Sequence, residues 1–95
     1  MKAEQAEPAR IVVLISGSGS NFQAIAEACL KKEIDGEIVG VISNRPGVMG
    51  LDRATQLEIP SSVVDHTEYS SREEFDAKLI HEIDQYGADL VVLAG

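Results

Sequence analysis

Cysteine is nearly absent from this chain. Cys29 stands alone, so no disulfide can form within it. One thiol without a partner fits a reducing compartment. Positive charge is scarce as well: 8 Lys and Arg stand against 16 Asp and Glu, a formal net charge of −8. That balance argues against a nucleic-acid or anionic-membrane binder, whose phosphates it would repel. A small anionic ligand stays open, because one local site can be positive on an acidic protein. Long apolar runs are missing. No stretch approaches the ~18 residues that read as a membrane helix. Met1 to Ala9 is polar and lacks the apolar stretch of a signal peptide. The expectation is a soluble cytoplasmic protein with a disordered N-terminal tail over residues 1–9.

What is present suits one domain. The 95 residues are 44% hydrophobic and 25% charged, an ordinary globular composition. At this length folding buries ~60–65% of the accessible surface, enough for one modest core. Ile11-Val12-Val13-Leu14-Ile15 is apolar and β-branched without polar alternation, which predicts a strand covered on both faces. Phe22, Ile25, Ala26 and Cys29 recur at helical spacing and predict a helix ending near Lys31-Lys32. Ile38 to Ile42 predicts a second buried strand. Asn44-Arg45-Pro46-Gly47 is turn chemistry. Leu51, Ala54 and Leu57 predict a short second helix, and Ser61 to Asp65 a brief third strand. Ser71 and Glu74 have capping-box spacing at the start of a third helix. Its inward stripe is Phe75, Leu79, Ile83 and Tyr86, and Gly87 ends it. Leu90 to Ala94 predicts a fourth buried strand. Strands alternating with helices predict an α/β fold: an open parallel sheet with helices on both faces.

The chemistry concentrates in Ser16-Gly17-Ser18-Gly19-Ser20-Asn21, between the first strand and the first helix. A phosphate needs several donors converging on one point. Backbone amides at a helix N-terminus supply them, and the helix dipole adds positive potential. Gly17 and Gly19 permit close approach, and Ser18, Ser20 and Asn21 carry further donors. The bland alternative is a tight turn in which Ser or Asn caps the helix. A dinucleotide fingerprint needs a third glycine where Phe22 stands. It also wants an acidic residue closing the second strand, where Ser43-Asn44-Arg45 stands instead. Arg45 leaves an NADP phosphate weakly open. A Walker loop would need Gly-Lys-Ser/Thr, which the chain lacks.

These residues carry a resemblance. RIVVLISGSGSNFQAI (residues 10–25), VISNRPGVMGLDRA (41–54), SREEFDAKLIHEID (71–84) and ADLVVLAG (88–95) together resemble phosphoribosylglycinamide formyltransferase, in its N-terminal half only. The resemblance implies a Rossmann-like sheet of strand order 3-2-1-4, incomplete relative to the family fold, over residues 10–95. It implies purine biosynthesis: transfer of a formyl group from 10-formyltetrahydrofolate to glycinamide ribonucleotide, without a metal. It carries substrate-phosphate binding onto Gly19, Ser20 and Asn21, and folate contact onto Arg72. A guanidinium suits a folate carboxylate because it can pair bidentately.

The family's catalytic Asn, His and Asp lie in a second half that these residues do not match. No residue of this chain is therefore assigned a catalytic role, and the chain alone is expected to be inactive. The missing half is the expected partner, with self-association of the chain as a consequence of uncovered surface. Gly95 stands at the carboxyl end of a strand, where a ligand loop is expected to begin. The competing reading is a non-catalytic Rossmann-type module that binds a nucleotide or phosphate. His66 and His81 read as solvated, Cys29 as a small core residue, and Glu73, Glu74 and Asp76 as charges favouring the third helix's positive end. Asn44 and Arg45 end the second strand on the ligand side.

Overall fold

A computed structural model describes residues 8–94. The expected tail lies outside the described residues except for Pro8 and Ala9, and Ala9 already begins the first strand. Gly95 also lies outside them. The elements run β1 (Ala9–Ile15), α1 (Ser20–Leu30), β2 (Gly36–Ser43), α2 (Met49–Gln56), β3 (Ser61–Val63), a 3-10 turn at His66–Glu68, α3 (Arg72–Tyr86) and β4 (Leu90–Leu93). All strand pairs are parallel, and the sheet order is β3-β2-β1-β4, as expected.

The apolar run of β1 becomes the centre of the sheet because β2 and β4 pair with its two sides. Ile11, Val13 and Ile15 point to one face and meet Phe22 and Ala26 of α1 and Ala54 of α2. Val12 points to the other face, with Ile42 and Val64, and α3 covers them through Phe75, Leu79, Ile83 and Tyr86. Helices therefore cover both faces, and the α3 stripe is the one its sequence spacing predicts. Cys29 is half-buried against the α1/α2 core, and burial pushes its thiol pKa up.

Parity along β2 is broken once. Ile11 pairs with Ile38, but Val12 pairs with Gly40, so Val39 is an extra residue. Ile38 and Val41 both reach the α1/α2 face although three positions separate them. Regular strand alternation forbids that, and the bulge restores it.

α3 is fixed at both ends. Ser71 Oγ accepts from Glu74 N at 3.1 Å, which is half of the expected capping box. The other half differs: the Glu74 carboxylate turns to Ser70, accepting from its N–H at 3.1 Å and its hydroxyl at 2.7 Å. At the far end Gly87 takes left-handed angles, and the Arg10 guanidinium donates to the carbonyls of Gly87 and Tyr86 at 2.9 Å each. A cation suits that negative end.

The fourth strand is not buried as expected. Leu90, Val91 and Leu93 are exposed by 50%, 38% and 80%. β4 is an edge strand: β1 pairs with one side, and nothing among the described residues pairs with the other. An apolar run predicts burial only where a neighbour exists to provide it.

Candidate phosphate-binding site

β1 delivers the chain to the carboxyl edge of the sheet, and the loop from Ser16 to Gly19 turns it into α1. Gly19 makes the turn with φ 77° and ψ 19°, left-handed angles that disfavour any side chain. A Cβ there would also lie 2.6 Å from Gly50 Cα. The start of α2 thus presses against the loop, and Gly50 N–H donates to Gly17 O at 3.0 Å. Arg53, one turn further along α2, donates from Nε to Ser18 O at 2.7 Å and from Nη1 to Gln23 Oε1 at 3.3 Å.

The donors of the loop stay free. No side chain caps α1. Among the described residues, the amides of Ser18, Gly19, Ser20 and Asn21 meet no acceptor. Gly19 is buried, while Ser20 and Asn21 are exposed. A Cβ at Gly17 would meet nothing within 4 Å, so one side of the loop is open. Four unpaired donors at the positive end of a helix are the arrangement an oxyanion needs.

Beside the loop, β2 ends at Ser43 and Asn44 follows it. Ser43 is fully buried; its hydroxyl donates to Arg45 O at 2.5 Å and accepts from Arg45 N at 3.1 Å. Asn44 ties β2 to β1 by donating its N–H to Ile15 O at 3.2 Å. Its Oδ1 is buried and has no hydrogen-bond partner. Asn44 and Phe75 line two adjoining cavities. One, about 270 Å³, is apolar and reaches Ser16 of the loop and Leu93 of β4. The other, about 460 Å³, opens towards His66, Tyr69, Ser71 and Arg72. Arg72 sits on the rim with an exposed side chain, held by Asp76 at 3.2 Å. Arg45 lines neither cavity.

Two carboxylates near this opening are depressed. The Thr67 side chain and amide hold Asp65 below the usual Asp range, and the Ser70 hydroxyl and amide do the same for Glu74. Asp65 thereby braces the 3-10 turn that carries His66. His81 is exposed on α3, beside Gln85. Among the described residues no group of three or more His, Cys, Asp or Glu could hold a metal ion. No described helix is long and apolar enough to cross a membrane.

Residues 9–95 match the formyl transferase family. The chain belongs to that family. It is 51% identical over 85 residues to the phosphoribosylglycinamide formyltransferase of Escherichia coli (strain K12). It is 49% identical over 88 residues to the trifunctional purine biosynthetic protein adenosine-3 of Drosophila melanogaster. Among solved structures, glycinamide ribonucleotide transformylase 1 from Symbiobacterium toebii superposes with a TM-score of 0.90 at 45% identity, covering 96% of this chain and 43% of that one. The alignments take in 90% of this chain but only 40% of the Escherichia coli formyltransferase and 6% of the Drosophila protein. The formyl transferase matched from Symbiobacterium toebii is likewise more than twice as long as the segment it shares.

Sequence reasoning found the loop and missed its support. Gly50 and Arg53 stand in the GLDRA segment (residues 50–54), whose apolar spacing indicates a short helix and nothing of its contact with the loop. Their signal was a glycine in the first turn of a helix, where packing against another backbone is the common reason. The 3-10 turn at His66–Glu68 was also missed, although Asp65 two residues before Thr67 has the spacing of a local side-chain turn.

Proposed function

We propose that this chain is the substrate-anchoring part of a formyltransferase domain, with the loop at Gly19, Ser20 and Asn21 holding the 5′-phosphate of glycinamide ribonucleotide. The observation that carries the reading is the set of unpaired amides from Ser18 to Asn21 at the start of an uncapped helix. The identity to the Escherichia coli phosphoribosylglycinamide formyltransferase supports the choice of ligand. Residues 10–95 form the phosphate-binding half of the domain. The intact enzyme works in purine biosynthesis in the cytoplasm.

The formyl donor is 10-formyltetrahydrofolate. The residues present fit it on one point of chemistry: Arg72 offers an exposed guanidinium at the rim of a cavity walled by Tyr69 and Phe75, suited to a ligand with a carboxylate and an aromatic body. The reaction is attack by the substrate amine on the formyl carbon. That step needs an oxyanion donor and a base for the amine proton. Both are assigned to a second half of the domain, which also covers β4. This chain orients the amine through remote phosphate binding.

The test follows backbone amide chemical shifts while glycinamide ribonucleotide, AMP and NADP are added separately. Glycinamide ribonucleotide should move the Gly17 to Asn21 amides most. An equal or larger response to NADP would replace this reading with a non-catalytic nucleotide-binding module.

A further inference from the structure

Two carbonyls of the loop are pulled the same way. Gly17 O accepts from Gly50 N–H at 3.0 Å, and Ser18 O accepts from Arg53 Nε at 2.7 Å. Both donors belong to α2. The peptide bonds here are trans, and in a trans peptide the C=O and the following N–H point in opposite directions. Pulling these carbonyls towards α2 therefore turns the Ser18 and Gly19 amides away from it. Those amides have no acceptor among the described residues, and the space beside Gly17 is open. Left-handed angles at Gly19 and the lack of a Cβ on Gly50 let the two backbones approach closely enough for the bonds to form.

We propose that Arg53 is a positioning residue for the phosphate: its guanidinium holds the Ser18–Gly19 peptide in the orientation that presents the Gly19 amide to the anion. The role presupposes that the loop binds a phosphate. Arg53 is not assigned a direct contact with the ligand. Its Nε donates to Ser18 O, and one hydrogen each of Nη1 and Nη2 is directed at Gln23 Oε1 and at Met49 Sδ, 3.7 Å away. An unbraced peptide in a Gly-Ser loop can rotate, because the rotation moves only soft backbone angles beside a glycine. A rotated peptide would aim the Ser18 carbonyl, rather than the Gly19 N–H, at the phosphate. Gly50 holds the neighbouring peptide by its own backbone, so one unit of the loop keeps its direction when Arg53 is changed.

The experiment uses the 95-residue chain with inorganic phosphate as the probe, comparing wild type with Arg53→Gln and Arg53→Lys. Amide spectra are recorded free and during titration, at low salt and at about 0.5 M salt, where exposed charges are largely screened. Thermal melts check that both variants fold. Arg53→Gln should shift the Gly19 amide resonance in the ligand-free protein far more than those in the middle of α1. It should weaken phosphate binding about tenfold, a loss that persists at high salt. Arg53→Lys keeps the charge but not the planar fork, and should show most of the same loss. Unchanged affinity in Arg53→Gln would overturn the proposal. So would a loss that vanishes at high salt and is absent in Arg53→Lys, because Arg53 would then act by charge alone. If wild type itself ignores phosphate, the phosphate reading of the loop fails. In that case the ligand-free Gly19 shift still decides whether Arg53 sets the peptide.

Discussion

At the scale of single residues, the site is built from pairs that are far apart in sequence. Gly19 meets Gly50, and Ser18 meets Arg53 across 35 positions. Local reading could find the loop, because glycine and serine between an apolar strand and an amphipathic helix already imply free amides. It could not find Arg53, since an arginine on a short helix carries no mark of the carbonyl it will hold.

The local carboxylates give a pH dependence. Asp65 and Glu74 are both held below their usual values by hydrogen bonds, from Thr67 and from Ser70. As pH falls, each takes up its proton first in the unfolded chain, near pH ~4, and only later in the folded one. The unfolded state then binds more protons, so stability drops with falling pH. Urea midpoints should stay level from pH 7 to 5 and fall below pH 4. The fall should be shallower in the Asp65→Asn, Glu74→Gln double variant. An equally steep fall in that variant would assign it to other carboxylates.

At the scale of elements, helix boundaries were the most legible feature. The stripe of α3 packs as its spacing implies, and Ser71 caps it. Ser71→Ala should cost about 1 kcal/mol, read from urea unfolding, because one first-turn amide loses its acceptor. A cost near zero would mean that water or Ser70 replaces the cap. The capping box was half legible. Its geometry depends on which of two adjacent serines Glu74 reaches, and Ser70 offers an amide and a hydroxyl together. The bulge at Val39 was not legible at all. A continuous run such as Ile38 to Ile42 has no polar alternation whose interruption would reveal an extra residue.

At the scale of the whole molecule, element order implies the parallel sheet and its two-sided helix cover, and the family resemblance implies the strand order, but neither shows that β4 is exposed. An apolar strand looks the same in sequence whether it has one neighbour or two. The free edge of β4 carries Leu93, exposed by 80%, beside Leu90 and Val91. Such an edge invites another strand. Sedimentation of the 95-residue chain should give a mass above that of the monomer, rising with concentration. Leu93→Lys should return it towards the monomer. A wild-type chain that stays monomeric at high concentration would remove the edge as a contact surface.

The bulge in β2 also governs which changes of length the chain can tolerate. Its upper half aims Val41 at the α1/α2 core, Ile42 at α3, and Asn44 into the crevice between the two cavities. Its lower half aims Ile38 at the α1/α2 core. The two halves agree only because Val39 adds one count between them. Removing a single codon there would force one half to turn over. Either Ile38 would leave its core, or Val41 to Asn44 would exchange faces and Asn44 would be lost from the crevice. In the second outcome the deletion would silence the crevice without touching any residue that lines it.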